Sequence, residues 1–373
     1  MRRRLLMVGR TRYTLPLSVP LTRKFDALSG ELDVRVLATA GRDSTGADSR
    51  FRLVAPLPLG RLEGAAFYAL LPFRVARELR AFRPDVVLVQ GGQETSLVLL
   101  GRALARLRAK VVLDVHGDWR APTRLYGSPW RRALAPLADA VARTAVRRAD
   151  AVRTISSYTS GLVRSEGVEP AAVFPAFMDL DPFLETERVP PPPSPVVLFV
   201  GVLERYKAVD VLAEAWRDVA RRSSDATLRI VGKGTLGPVV QRLVAESAGR
   251  VAWTPSLPGC EVASALDAAS VLVLPSRSEG LGRVVVEAFC RGRPVIGSRV
   301  GGIPDLVTDG ETGILVAPEN AAALADALVS VLADRGLAER LGSAARRAVE
   351  PWLATPEDYA VAVRDLVDRV VAA

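Results

Sequence analysis

The 373-residue sequence predicts a doubly wound α/β protein in two domains, on three observations. Short all-apolar runs alternate with long amphipathic stretches, the pattern of parallel strands buried on both faces and covered by helices. A proline run, Val189-Pro190-Pro191-Pro192-Pro193-Ser194-Pro195, interrupts that alternation, which then restarts. Such a run joins neither a helix nor a central strand and reads as a stiff connector. The length suits two domains of ~150 residues each.

The elements follow in order. Leu5–Val8 reads as a buried strand, Gly9-Arg10-Thr11-Arg12 as its exit loop, and Val19–Ser29 as a helix. Val34–Ala38, Val86–Gln90, Val111–Val115 and Ala151–Ile155 read as strands, with a long helix over Pro129–Arg148. After the prolines, strands are expected at Val196–Val200, Thr227–Val231, Val251–Trp253, Val271–Leu274, Pro294–Gly297 and Gly313–Val316. Helices are expected at Val209–Arg221, Val239–Ser247, Cys260–Ala268 and Gly282–Arg291, and through the remainder of the chain. The domains are therefore 1–190 and 191–354. Doubly wound sheets bind ligands beyond the carboxyl ends of their strands, and two facing sheets put that site in the cleft between them.

Composition narrows the function. With 49% hydrophobic and 24% charged residues the chain is globular and not disordered. Two cysteines, Cys260 and Cys290, exclude a disulfide framework and a multi-cysteine zinc site, and read as buried apolar residues. A single histidine, His116, excludes any site built on two imidazoles. No stretch approaches the ~18 apolar residues of a membrane span. The basic start has an apolar run too short for a signal peptide, so a reducing cytoplasmic setting is expected. The net charge of +9 is uneven. Residues 1–190 carry 30 Lys+Arg against 19 Asp+Glu, a net of +11, and residues 191–373 carry 20 against 22. The only lysines are Lys24, Lys110, Lys207 and Lys233, which mark places that want a compact ammonium or reflect chance.

Three motifs carry chemistry. Gly232-Lys233-Gly234-Thr235-Leu236-Gly237 matches the dinucleotide fingerprint. It follows the second strand of its unit, though, and the next strand ends without the acidic residue a ribose needs. Asp179-Leu180-Asp181 has metal-binding spacing, but Asp181 reads more simply as a cap for a turn opened by Pro182. Pro275-Ser276-Arg277-Ser278-Glu279-Gly280-Leu281-Gly282-Arg283 leaves a strand and opens a helix. It sets Glu279 at a strand's carboxyl end and helix-terminal amides near Gly282, which favour an anion such as a diphosphate. Glu287 lies eight residues on, within the helix.

Glu279 and Glu287 form the E-x7-E spacing of the retaining glycosyltransferases of family four, and the sequence resembles that family from Pro275 to Val316. Gly201-Val202-Leu203-Glu204-Arg205-Tyr206-Lys207 is similar to its G-R-L-x-x-x-K-G segment, and the Gly232 turn to its V-G-x-G. His116-Gly117 and Pro175–Phe183 resemble further family segments. The resemblance implies the GT-B fold, two Rossmann-like doubly wound parallel-sheet domains with a cleft between, and a final helix (355–373) packed back on the first. It implies transfer of a sugar from a nucleotide-diphosphate sugar (UDP or GDP) to an acceptor hydroxyl, with retention of configuration, no metal and no cofactor. His116, Lys207 and Glu279 would be catalytic, Lys207 meeting the departing diphosphate and Glu279 the sugar hydroxyls. Glu287 would hold the ribose and the amides about Gly282 and Arg283 the phosphate. Arg205, Gly232, Gly234, Leu257, Gly280, Leu281 and Val284 complete the expected donor contacts.

The departures are Val202 where the family often has Arg, Ala208 where it has Gly, and a single glycine at Gly9. Arg10, Arg12, Asp118, Trp119 and Arg120 are expected on the acceptor side. Together with Arg124, Arg131 and Arg132, the arginines among them read either as solvated surface or as the partner of an anionic, lipid-phosphate-linked acceptor or an anionic membrane surface. Leu125–Leu134 mixes aromatics with arginine in the manner of interfacial anchors. No nucleic-acid motif is present. A nucleotide-sugar epimerase of the same fold and a non-catalytic nucleotide-sugar-binding module are the alternatives.

Overall fold

The computed structural model describes residues 2–41, 43–55, 63–125, 133–185, 187 and 189–373. Up to residue 177 the chain runs β1 (Arg4–Tyr13), α1 (Val19–Glu31), β2 (Asp33–Ala40), β3 (Phe51–Val54), α2 (Glu63–Phe82), β4 (Val86–Gln90) and α3 (Gly92–Ala105). β5 (Lys110–Val115), α4 (Ala121–Leu125), α5 (Ala135–Arg148), β6 (Ala151–Thr154), α6 (Ser157–Arg164) and β7 (Ala172–Val173) follow. Then come α7 (Asp181–Leu184), β8 (Val196–Val200), α8 (Val209–Arg222), β9 (Thr227–Val231), α9 (Gly237–Glu246), β10 (Val251–Thr254), α10 (Gly259–Asp267) and β11 (Val271–Leu274). The chain closes with α11 (Arg283–Cys290), β12 (Val295–Ser298), α12 (Ile303–Leu306), β13 (Gly313–Val316), α13 (Ala321–Ala333), α14 (Arg335–Ala348) and α15 (Pro356–Ala372).

Two compact units result. One takes the described residues of Met1–Thr123 and Pro129–Phe177 with Ala354–Ala373, and the other is built on Met178–Leu353. The first holds a seven-stranded sheet in the order β3-β2-β1-β4-β5-β6-β7, the second a six-stranded sheet in the order β10-β9-β8-β11-β12-β13. Every pairing is parallel. Strand order therefore reverses beside β1 in one sheet and β8 in the other, where crevices open at the carboxyl ends.

Both faces of each sheet are covered, which explains the unbroken apolar strands. Successive residues point to opposite faces. Leu5 packs with Phe25 and Leu28 of α1 and with Tyr359, Val363 and Leu366 of α15. Its neighbour Leu6 packs with Leu71, Val75 and Leu79 of α2 and Val98 of α3. In the second unit Val197, Phe199, Ile230 and Val273 surround the fully buried Trp216 of α8.

Four sequence expectations need correction. β1 does not end at Val8: after a register irregularity it pairs Arg12 with Thr39 and Tyr13 with Ala40. Arg10 and Arg12 thus lie on a strand extension and not in an exit loop. β3 and α3 stand where no element was expected. Cys260 is exposed, and only Cys290 is buried. The units divide at Phe177/Met178, thirteen residues before the expected boundary at 190/191. The reason is packing and hydrogen bonding. Met178, Leu180 and Phe183 are buried, and α7 packs on α10 and α11. The buried guanidinium of Arg291 donates to the carbonyls of Phe183 (3.2 Å) and Glu187 (2.9 Å), and that of Arg293 to Val189 (2.9 Å). The described part of the expected 129–148 helix is α5, and the expectations for residues 126–132, Arg131 and Arg132 among them, lie outside the described residues.

Candidate active site

In the second unit the strand-end loops interlock through backbone. The amide of Gly201 donates to Val231 O (2.9 Å), Leu203 to Lys233 O (3.0 Å) and Leu236 to Leu203 O (2.7 Å). Gly232 has φ 148°, and a Cβ there would stand 1.8 Å from the Gly201 carbonyl oxygen. This close approach of two loops is what the glycine pattern serves. The Trp253 indole donates to Gly232 O (2.8 Å) and pins the turn. Gly234 packs on Leu203 in the same turn, and Leu257 is half-buried beyond β10.

Lys207 ends a 3-10 turn, Arg205–Lys207, that follows β8. Glu279 lies in the loop between β11 and α11. Their side chains form an ion pair, 12% and 14% exposed, between residues 72 apart in the chain. Arg277 brings the two loops together. Its amide donates to Tyr206 O (2.7 Å), its Nη1 to Arg205 O (2.6 Å), and its guanidinium forks onto Asp210 at 2.8 Å twice. Burial pushes the Asp210 carboxyl up, yet the Arg277 fork holds it below the usual range. Arg205 itself is exposed, as is Val202 at 44%.

Gly282, at φ 96°, opens α11, and no side chain caps that helix start. Leu281 and Val284 are buried about it, and the Gly302 amide holds the Glu279 carbonyl at 3.0 Å. Arg283 donates to Glu287 Oε1 (2.6 Å), one helical turn on, and to Asp179 O (3.2 Å). Burial raises the Glu287 carboxyl above its ordinary value, against the pull of Arg283. The structure thus gathers Lys207, Glu279, Gly280, Gly282, Arg283 and Glu287 around one loop and one helix start, where amides and an ammonium favour an anion.

In the first unit His116 follows the end of β5. Its Nε2 lies 2.8 Å from Asp114 Oδ2, and Arg153 Nη1 donates to Asp114 Oδ1 at 2.6 Å. Asp114 is fully buried. Burial alone would raise its carboxyl, but Arg153 and His116 bring it down to about 2. A cavity of about 340 Å³ opens here, lined by Gln90, Gly91, His116, Asp118, Trp119 and Ala142 among others. The Trp119 indole N–H is buried with no partner among the described residues. Asp118 accepts from the Arg120 amide (2.9 Å) and from its Nε (2.8 Å). Arg10 instead sits over the Tyr68 ring at 5.6 Å, and neither Arg10 nor Arg12 lines this cavity.

Sequence reasoning missed Arg277, Asp114 and Arg153. Asp114 and Arg153 carried a signal, since a charged residue inside an apolar strand calls for a partner, whereas Arg277 lies in the loop after β11 and carried none of that kind. Among the described residues no group of three or more His, Cys, Asp or Glu side chains gathers as a metal site, and no helix is long and apolar enough to cross a membrane.

Two parallel α/β units, with candidate residues at the strand ends of each, define the GT-B class of glycosyltransferases. Residues 194–334 match the family described as Glycosyl transferases group 1, and residues 21–176 the Glycosyl transferase 4-like domain. The GDP-mannose-dependent alpha-(1-6)-phosphatidylinositol monomannoside mannosyltransferase of Mycolicibacterium smegmatis is 32% identical over 297 residues, 72% of this chain and 73% of that protein. The chain belongs to this glycosyltransferase family and is a transferase. Among solved structures, sucrose-phosphate synthase from Thermosynechococcus elongatus superposes with a TM-score of 0.79 at 21% identity, over 100% of both chains. Anabaena HepE in complex with UDP-glucose gives 0.71 at 17%, over 99% of this chain and 100% of that one. Both show the same fold.

Proposed function

We propose that the chain moves a sugar from a nucleotide-diphosphate sugar to an acceptor hydroxyl, with retained anomeric configuration and no metal or cofactor. The observation that carries this reading is the Lys207–Glu279 pair beside the uncapped start of α11. Breaking a glycosyl–diphosphate bond builds negative charge on the leaving oxygens. A preorganised ammonium and helix-terminal amides stabilise that charge, often the largest catalytic contribution. Lys207 turns from Glu279 to the diphosphate as the donor binds, which releases Glu279 to the sugar hydroxyls. The nearby carboxylate favours the oxocarbenium-like sugar. Glu287, held by Arg283, takes the ribose, and Leu257 with the Gly232 turn lies by the base. Arg205 reaches the phosphates in place of the arginine that Val202 replaces. His116 binds the sugar, and the cavity around Asp118 and Trp119 takes the acceptor. The relatives support a nucleotide donor: one is named GDP-mannose-dependent and another is solved with UDP-glucose. The strongly basic first half supports an anionic acceptor or a peripheral place on an anionic cytoplasmic membrane face.

A thermal-shift screen of UDP- and GDP-sugars identifies the donor, because binding to the native state raises apparent stability. With that donor, Lys207→Ala and Glu279→Ala each lower transfer by on the order of 100-fold or more while circular dichroism is unchanged. Full activity in both variants overturns the reading. Epimerised nucleotide sugar formed without acceptor, an inverted product or activity lost to a chelator each removes its part of the proposal.

A further inference from the structure

Arg153 is 1% exposed, and no step of the proposed reaction uses it. It lies on β6 directly opposite Asp114 of β5 in the parallel register, so the two side chains share one face of the sheet. Its Nη1 donates to Asp114 Oδ1 at 2.6 Å. Its Nη2 donates to the carbonyls of Phe174 and Pro175, both at 2.7 Å, and the guanidinium lies 4.1 Å over the Phe174 ring. The other oxygen of Asp114 meets His116 Nε2 at 2.8 Å. An unbroken line thus runs from His116 through Asp114 and Arg153 to Phe174 and Pro175, two to three residues before the first unit ends at Phe177.

Stability is a poor account of this arrangement. A buried ion pair seldom improves on well-packed apolar side chains, because both charges lose their water. Here Arg153 Nε also finds no acceptor among the described residues, a further cost. What the pair does supply is orientation. An ionised carboxylate can only accept, so Asp114 draws an N–H of His116 to Nε2, the ring nitrogen that also lies 3.4 Å from Gln90 Nε2.

We propose that Arg153 is a positioning residue that fixes the tautomer and orientation of His116 through Asp114, and ties them to the Phe174–Pro175 segment by which the chain leaves the first unit. This rests on the proposed role of His116 in sugar transfer, but the ¹⁵N readout of its test does not depend on that role. His116 is the only histidine, so protein prepared without a histidine tag gives one pair of imidazole ¹⁵N signals. The native protein is expected to show a single Nε2–H tautomer. Arg153→Met is expected to mix the tautomers and to lower kcat by roughly tenfold to a hundredfold, the usual loss when a partner orienting a functional histidine goes. The donor KM is expected to stay within about twofold, since the donor groups lie in the other unit. Arg153→Lys keeps the charge but not the fork, and recovers part of both signals. Native ¹⁵N shifts and native kcat in Arg153→Met overturn the proposal. If that variant does not fold, native values of both in Arg153→Lys overturn it equally. Mixed tautomers in a protein whose native form transfers no sugar support the tie and remove only its catalytic use.

Discussion

Ala208 is fully buried and sits at φ 53°, ψ 39°, directly after the Lys207 turn. A left-handed residue with a Cβ costs roughly 1–2 kcal/mol, and glycine avoids most of it. Ala208→Gly is therefore expected to leave stability unchanged or raise it by up to about 1 kcal/mol, after the entropy a glycine adds to the unfolded chain. A urea titration measures this, and a clear loss would show that the methyl packs better than the strain costs. Lys24 is a second residue in tension. Its amine lies 5.3 Å from the Phe25 ring centre and 5.2 Å from that of Tyr359. Burial draws its pKa down from 10.5 to about 8. Between those values the unfolded chain holds more proton than the folded one, so native stability rises with pH across that window. Below about pH 8 both states are charged and the burial penalty is complete. Lys24→Met does not titrate. Its stability relative to the native chain is expected to fall as pH rises from about 8 to 10.5, read from denaturation at a series of pH values.

At the scale of elements, α15 illustrates how a distant segment completes a core. Thr355 and Asp358 form a capping box at its start, which satisfies the first free amides. Tyr359, Ala360, Val363, Leu366, Val367 and Val370 then form one apolar stripe buried with α1 and β1. Phe174 and Phe177 pack on Tyr359 with ring centres 6.1 and 6.0 Å away. Each fully buried aliphatic side chain contributes about 1.5–3 kcal/mol. Val363→Asp places a carboxylate in that core and is expected to cost on the order of 3 kcal/mol or more. Chemical denaturation should show the loss, and a shift below about 1 kcal/mol would mean that α15 is dispensable. The sequence also showed β8 and β11 at their observed bounds, because four or five apolar residues between turn formers leave little choice. It did not show β3 or α3. β3 mixes Arg52 with apolar residues, and its burial comes from pairing with β2.

For the whole molecule, the opening asymmetry of charge acquires a location. The half with a net of +11 holds most of the first unit, and the near-neutral half holds the Lys207 and α11 cluster. The proposed donor site therefore works by local placement and not by bulk charge. If the basic half meets an anionic membrane, the protein should bind vesicles containing phosphatidylglycerol and leave neutral phosphatidylcholine vesicles alone. Cosedimentation should weaken as salt passes ~0.15 M, where the screening length is ~8 Å. Equal binding to both vesicles would remove the electrostatic account.

The sequence by itself determined the alternation of strands and helices, and through the run from Pro275 to Val316 the family. These are local properties: burial periodicity and turn chemistry act over a few residues. Only the tertiary structure decided which distant residues meet. It set Lys207 against Glu279, Arg153 against Asp114 and Arg277 against Asp210, on neighbouring elements far apart in the chain. It also moved the division between units, because Arg291 and Arg293 hold the carbonyls of Phe183, Glu187 and Val189. Strand neighbours and buried charge partners are chosen by packing over the whole unit, and no short window of sequence carries that choice.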